Sequence, residues 1–164
     1  MLPVLAALQR LNLLKDPGAG PGGEGPPYLP RLCAEGALEG GLSVALDVRP
    51  DELFGALAAA AGGPARRLKV LDVRDRPEPR MVVSRGPGAA PETWEVPDVR
   101  ALVERLNALA AEGGDPQARL VAVLGEWEDA LQLWCLPRSA VRALLRERGF
   151  QPENLAELRA LATA

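Results

Sequence analysis

Chemistry in this sequence has to be sought among carboxylates, arginines, two thiols and three indoles, because the chain contains no histidine. That absence removes the usual general base, the Ser-His-Asp and Cys-His pairs, and the most frequent ligand of transition metals. Ser43, Ser84 and Ser139 are the serines, and none lies in a G-x-S-x-G elbow. Cys33 and Cys135 are far apart and follow neither a metal-binding nor a disulfide spacing, so they read as buried thiols of a reducing compartment. The run Gly18-Ala19-Gly20-Pro21-Gly22-Gly23 carries the letters of the dinucleotide fingerprint. That fingerprint needs a strand before it and a helix after it, so that the helix amino terminus meets the pyrophosphate. Here a helical pattern precedes and Pro26-Pro27 follows, and the match is rejected. The expectation is no catalytic residue, no metal and no cofactor.

Asp72, Asp75, Glu126, Glu128 and Asp129 fall near strand ends and a turn, where paired carboxylates can work as acid and base. Solvated acids fall at the same places, and no calcium loop or metal spacing accompanies these, so they read as solvated. Arg138, Arg142 and Arg146 recur every four residues and line one helix face opposite Val141, Leu144 and Leu145. A solvated face is the plain reading of that stripe, and a grip on an acidic partner is the functional one. The formal charge of −3 argues against general nucleic-acid binding, and no aromatics are interleaved with the arginines for stacking. Pro152, Glu153 and Glu157 make the following segment a poor recognition helix. Trp134 stands in a strand whose other face carries Leu131, Leu133 and Cys135, so both faces need a cover. Trp127 sits between acids in a turn, where its indole folds back or meets a partner. Trp127, Trp134, Leu136 and Leu124 are therefore the candidate partner-binding residues.

The elements that position these residues follow from periodicity. A chain of 164 residues is normally one domain with a core of its own. Val4, Leu8 and Leu11 mark an amphipathic helix within residues 1–16, and the Gly/Pro-rich segment 17–30 reads as a linker. Residues 31–164 read as a single α+β domain. A short strand near Arg31–Glu35 and an alternating strand from Leu42 precede a helix opened by Pro50-Asp51-Glu52. Strands are expected at Arg67–Val73, Arg80–Ser84 and Glu92–Val96, then a helix from Pro97 to Glu112. Strands at Arg119–Leu124 and Ala130–Leu136 form a hairpin, with helices at Arg138–Arg148 and Gln151–Ala162 after it. These elements suit one antiparallel sheet of about five to seven strands, with helices mainly on one face. Residues 56–68 echo residues 108–120, which is either a duplication of a β-α-β-β unit or chance repetition in an Ala- and Gly-rich chain. The amino terminus lacks the positive leader of a signal peptide, and no apolar run has the length of a membrane span, so a cytoplasmic protein is expected.

The order helix, three strands, helix, two strands, helix from residue 51 resembles the small α+β fold of type III secretion chaperones and YbjN-like bacterial proteins. The residues behind it are Leu42–Pro50, the strand Arg67–Val73, and Val96-Pro97 opening a helix that contains Leu106-Asn107. The resemblance covers about two-thirds of the chain and is one of element order, without a diagnostic motif. It implies a homodimer that binds another protein, as a chaperone or regulatory adaptor, and catalyses nothing. The alternative is a small-molecule binder whose two β-α-β-β halves enclose a pocket.

Overall fold

A computed structural model describes residues 3–14, 29–61, 67–76, 78–112, 118–146 and 159. The chain is α+β, with two three-stranded antiparallel sheets and five helices among these residues. In order they are α1 (Pro3–Arg10), α2 (Leu29–Ala34), β1 (Gly41–Ala45), α3 (Pro50–Ala61), β2 (Lys69–Arg74), β3 (Arg80–Ser84), β4 (Glu92–Glu95), α4 (Val99–Glu112), β5 (Arg119–Trp127), β6 (Ala130–Pro137) and α5 (Arg138–Leu144). Pro50 opens α3 because its fixed φ suits the first helical position, and Asp51 and Glu52 complement the helix dipole there. Asp98 caps α4, its Oδ1 accepting the Ala101 N–H at 2.9 Å. The β5–β6 hairpin turns at Glu128 and Asp129, whose φ values of 51° and 61° are the left-handed pair of a two-residue turn. None of the helices described is long and apolar enough to cross a membrane.

The strands do not form one sheet. They pair as β1-β6-β5 and as β2-β3-β4. The two sheets meet through a shared core, in which Val121, Val123, Leu133 and Cys135 of the first join Met81, Val83 and Trp94 of the second. Leu53, Phe54 and Leu57 of α3 and Leu102, Val103 and Leu106 of α4 complete it. Alternation of apolar residues tells which side of a strand is buried; it does not tell whether two strands share an edge. Nor do the helices lie mainly on one face. Because β6 is apolar on both sides, α3 and α4 cover one side while α1, α2 and α5 cover the other.

The strand expected near Arg31–Glu35 is instead part of α2, where Leu29, Leu32 and Cys33 follow the spacing of a buried helix face. Leu29 and Pro30, placed at the end of the linker, open this helix and are buried. Residues 15–28 lie outside the described residues, and so, Arg159 apart, does the helix expected at Gln151–Ala162.

A constant shift of 52 positions, as from Leu57 to Leu109, carries β1, α3, β2 and β3 onto β4, α4, β5 and β6. The pairing follows the same shift. Leu42 pairs with Leu133 in β1·β6, and their shifted counterparts Trp94 and Met81 pair in β4·β3. Ser43 with Gln132 becomes Glu95 with Arg80, and Gly41 with Trp134 becomes Thr93 with Val82. Each hairpin carries one irregularity in its first strand, between Val70 and Asp72 in β2 and between Val123 and Gly125 in β5. Thus β1 adds to the hairpin β5–β6, and β4 adds to the hairpin β2–β3.

Candidate functional site

The face of β6 expected to meet a partner is closed by the chain itself. Trp134 is 0% exposed, and its Nε1 donates to the Glu39 carbonyl at 3.0 Å. Leu124 and Leu136 are buried with it beneath Ala7 and Leu8 of α1, Leu32 of α2 and Val141 of α5. The cover of this face is therefore the amino-terminal helix and its neighbours. Gly40 lets the chain pass close to β6, since a Cβ there would lie 2.1 Å from the Cys135 carbonyl oxygen. Trp127 ends β5, half-buried, and its carbonyl accepts from the Gln132 Nε2 at 3.3 Å. The same Nε2 donates to Ser43 Oγ at 3.0 Å, while Gln132 Oε1 is buried without a partner among the described residues.

An open cleft of about 570 Å³ lies instead where the two sheets meet α3 and α4. Residues 46–51, which carry β1 into α3, form one wall, and residues 96–100, which carry β4 into α4, form another. Met81, Val123 and Leu131 contribute apolar surface. Leu46 and Val73 also line the cleft, and they are 48% and 37% exposed. Val73 sits opposite Met81 in the β2·β3 ladder, so it belongs to the core side of its sheet and is uncovered because the cleft is open.

Charge is arranged around this apolar surface. Arg49 donates from Nε to Asp51 Oδ1 at 3.0 Å and from Nη2 to Asp75 Oδ1 at 2.6 Å. It thereby ties the β1–α3 connection to the end of β2. These carboxylates, Asp51 foremost by its hydrogen bond, raise the Arg49 pKa above its ordinary value. Asp98 is engaged as the cap of α4. Arg80 also lines the cleft, and its Nε is buried without an acceptor among the described residues. Sequence reasoning missed this site. Its trace was the recurrence of a strand running into a proline-opened helix, in Val48-Arg49-Pro50-Asp51 and again in Val96-Pro97-Asp98.

Of the carboxylates singled out in the sequence, only Asp75 lines the cleft. Asp72 accepts from Arg74 Nε at 3.0 Å on an exposed surface, and Glu126, Glu128 and Asp129 stand at the β5–β6 turn. Among the described residues no group of His, Cys, Asp or Glu has the arrangement to hold a metal ion. Cys33 and Cys135 are both buried and not joined by a disulfide, and they belong to different cores. Burial pushes the Cys135 thiol up to about 11, against a smaller opposing pull from Arg119. Arg138 is half-buried at the start of α5, and Arg142 and Arg146 are exposed. No family model matches the chain, and neither a curated protein nor a solved structure matches it.

Proposed function

We propose that the chain is a non-enzymatic binding module built from two β-α-β-β repeats that exchange their first strands, with a small ligand held in the cleft between them. One observation carries the reading: the β1–α3 and β4–α4 connections, which join equivalent elements of the two repeats, line the same cleft. A volume of about 570 Å³ falls inside the range of roughly 300–1,000 Å³ common for small-molecule sites. Apolar surface ringed by a few fixed polar groups is also the usual composition of such sites. The ligand class this favours has an apolar body and a polar end. Screening small metabolites by thermal shift tests the reading, because a ligand that binds only the folded chain raises its melting temperature. Val73→Trp, placed on the rim, is expected to fill the cleft and abolish the shift while the variant stays folded. A shift equal in both proteins, or none in the wild type, contradicts it.

A protein-interaction module, acting as a chaperone-like or regulatory homodimer, is the second reading. It is favoured by the 55% exposure of Leu71 on β2, an edge strand beside the exposed Val73. An exposed apolar edge accepts a further strand from another chain. Leu71→Lys is then expected to turn a dimer seen by light scattering into a monomer, and a wild type that is monomeric at high micromolar concentration contradicts this second reading.

A further inference from the structure

The arginine stripe read in the sequence lies on α5 and the residues just after it. The start of α5 is tied to the start of β5, where the Arg138 N–H donates to the Ala118 carbonyl at 3.0 Å. Arg138 opens α5, Arg142 follows one turn later, and Arg146 comes just past the helix end. Four other arginines are held by acids, Arg31 by Glu35, Arg49 by Asp51 and Asp75, Arg74 by Asp72, and Arg85 by Glu92 and Glu112, whereas Arg67, Arg76, Arg80 and Arg105 have no ion pair among the described residues. Nor does any carboxylate among them form an ion pair with Arg138, Arg142 or Arg146. Arg138 Nη2 is buried and has no acceptor among the described residues. Buried charged donors are ordinarily satisfied, and their lack of a partner marks a place where an acceptor belongs.

We infer that Arg138, Arg142 and Arg146 form a docking surface for a carboxylate-rich segment of another protein. The spacing favours a chain segment over a single small anion. Arginines four apart on a helix recur every ~6 Å along its axis, and alternate side chains of an extended strand recur every ~6.7 Å. Arginine forks meet carboxylates in pairs of parallel hydrogen bonds, which gives such a contact its geometry. Nucleic acid fits less well, because the chain carries a net charge of −3 and no aromatic side chain is interleaved with the stripe to stack bases. This surface and the cleft are independent of one another.

Titration of the full chain with a fluorescein-labelled oligoglutamate peptide, read by anisotropy, tests the inference. Saturable binding that weakens as salt is raised is expected, with a loss of about tenfold or more in Arg138→Gln/Arg142→Gln. Arg142→Gln/Arg146→Gln alters two exposed side chains, so it serves if the first variant fails to fold, and it is expected to weaken binding as well. Arg105→Gln, an exposed arginine of α4, is expected to leave binding unchanged. Absence of saturable binding at low salt overturns the inference, as does an equal loss in Arg105→Gln. Tighter binding of a single-stranded oligonucleotide of matched charge also overturns it and assigns the surface to nucleic acid.

Discussion

Asn107 sits in the apolar stripe of α4, and its position is explained by a strand fourteen residues on. Its Nδ2 donates to the Val121 carbonyl at 3.0 Å and its Oδ1 accepts the Val121 N–H at 2.7 Å, so one buried amide satisfies both backbone groups of an edge residue. Replacement by Ala leaves that N–H and carbonyl unpaired in the core, and Asn107→Ala is expected to cost about 2–4 kcal/mol in urea unfolding. A cost below about 0.5 kcal/mol would mean that the backbone of β5 is satisfied otherwise. Cys135 gives a second expectation at this scale. Its thiol is pushed up to about 11, so the reactive thiolate is scarce at neutral pH, and burial excludes reagents as well. Iodoacetamide at pH 8 is expected to label neither cysteine in the native chain and both in denaturant; rapid native labelling would contradict the burial. The cysteines were legible in the sequence as core residues. Asn107 was visible only as a polar letter in an apolar pattern, since its partner lies across the fold.

At the level of elements, the residues that start and stop structure were the easiest to read. Pro50-Asp51-Glu52 opens α3 and Arg80–Ser84 is β3 as periodicity indicates. Where the reading failed, long-range packing decided the outcome. The short apolar run around Leu32 and Cys33 is compatible with either a strand or a helix turn, and burial against Trp134 and Leu136 decides for the helix. The β5–β6 hairpin is longer than alternation suggested because an irregularity at Val123–Gly125 breaks the pattern, with Gly125 at a φ of 111°. Its turn places Glu128 and Asp129 in left-handed conformations that suit Asn and Gly better. Glu128→Asn/Asp129→Gly is therefore expected to stabilise the chain by about 0.5–1 kcal/mol. A denaturation midpoint that falls would show that the two acids make contacts that matter more than backbone strain.

For the whole molecule, the sequence displayed the echo between residues 56–68 and 108–120 but not the exchange that gives it meaning. Pairing β1 with β6 and β4 with β3 brings both strand-to-helix connections to one cleft, and no local pattern encodes that meeting. The two-faced strand around Trp134 correctly called for two covers, yet which segments supply them depended on where α1 and α2 pack. Because that face is closed within the chain, Trp134→Glu is expected to unfold the protein by burying an unpaired carboxylate, where an interface residue would only alter its particle size. A soluble, cooperatively folding Trp134→Glu variant would contradict the packing of α1, α2 and α5 on that face. The central claim is that the two halves share one ligand site. Amide chemical-shift mapping with the most stabilising small molecule from the thermal screen tests it most directly. Shifts are expected in both connections, 46–51 and 96–100, and to be absent in Val73→Trp. Shifts confined to one half, or clustered away from these residues, would contradict the account.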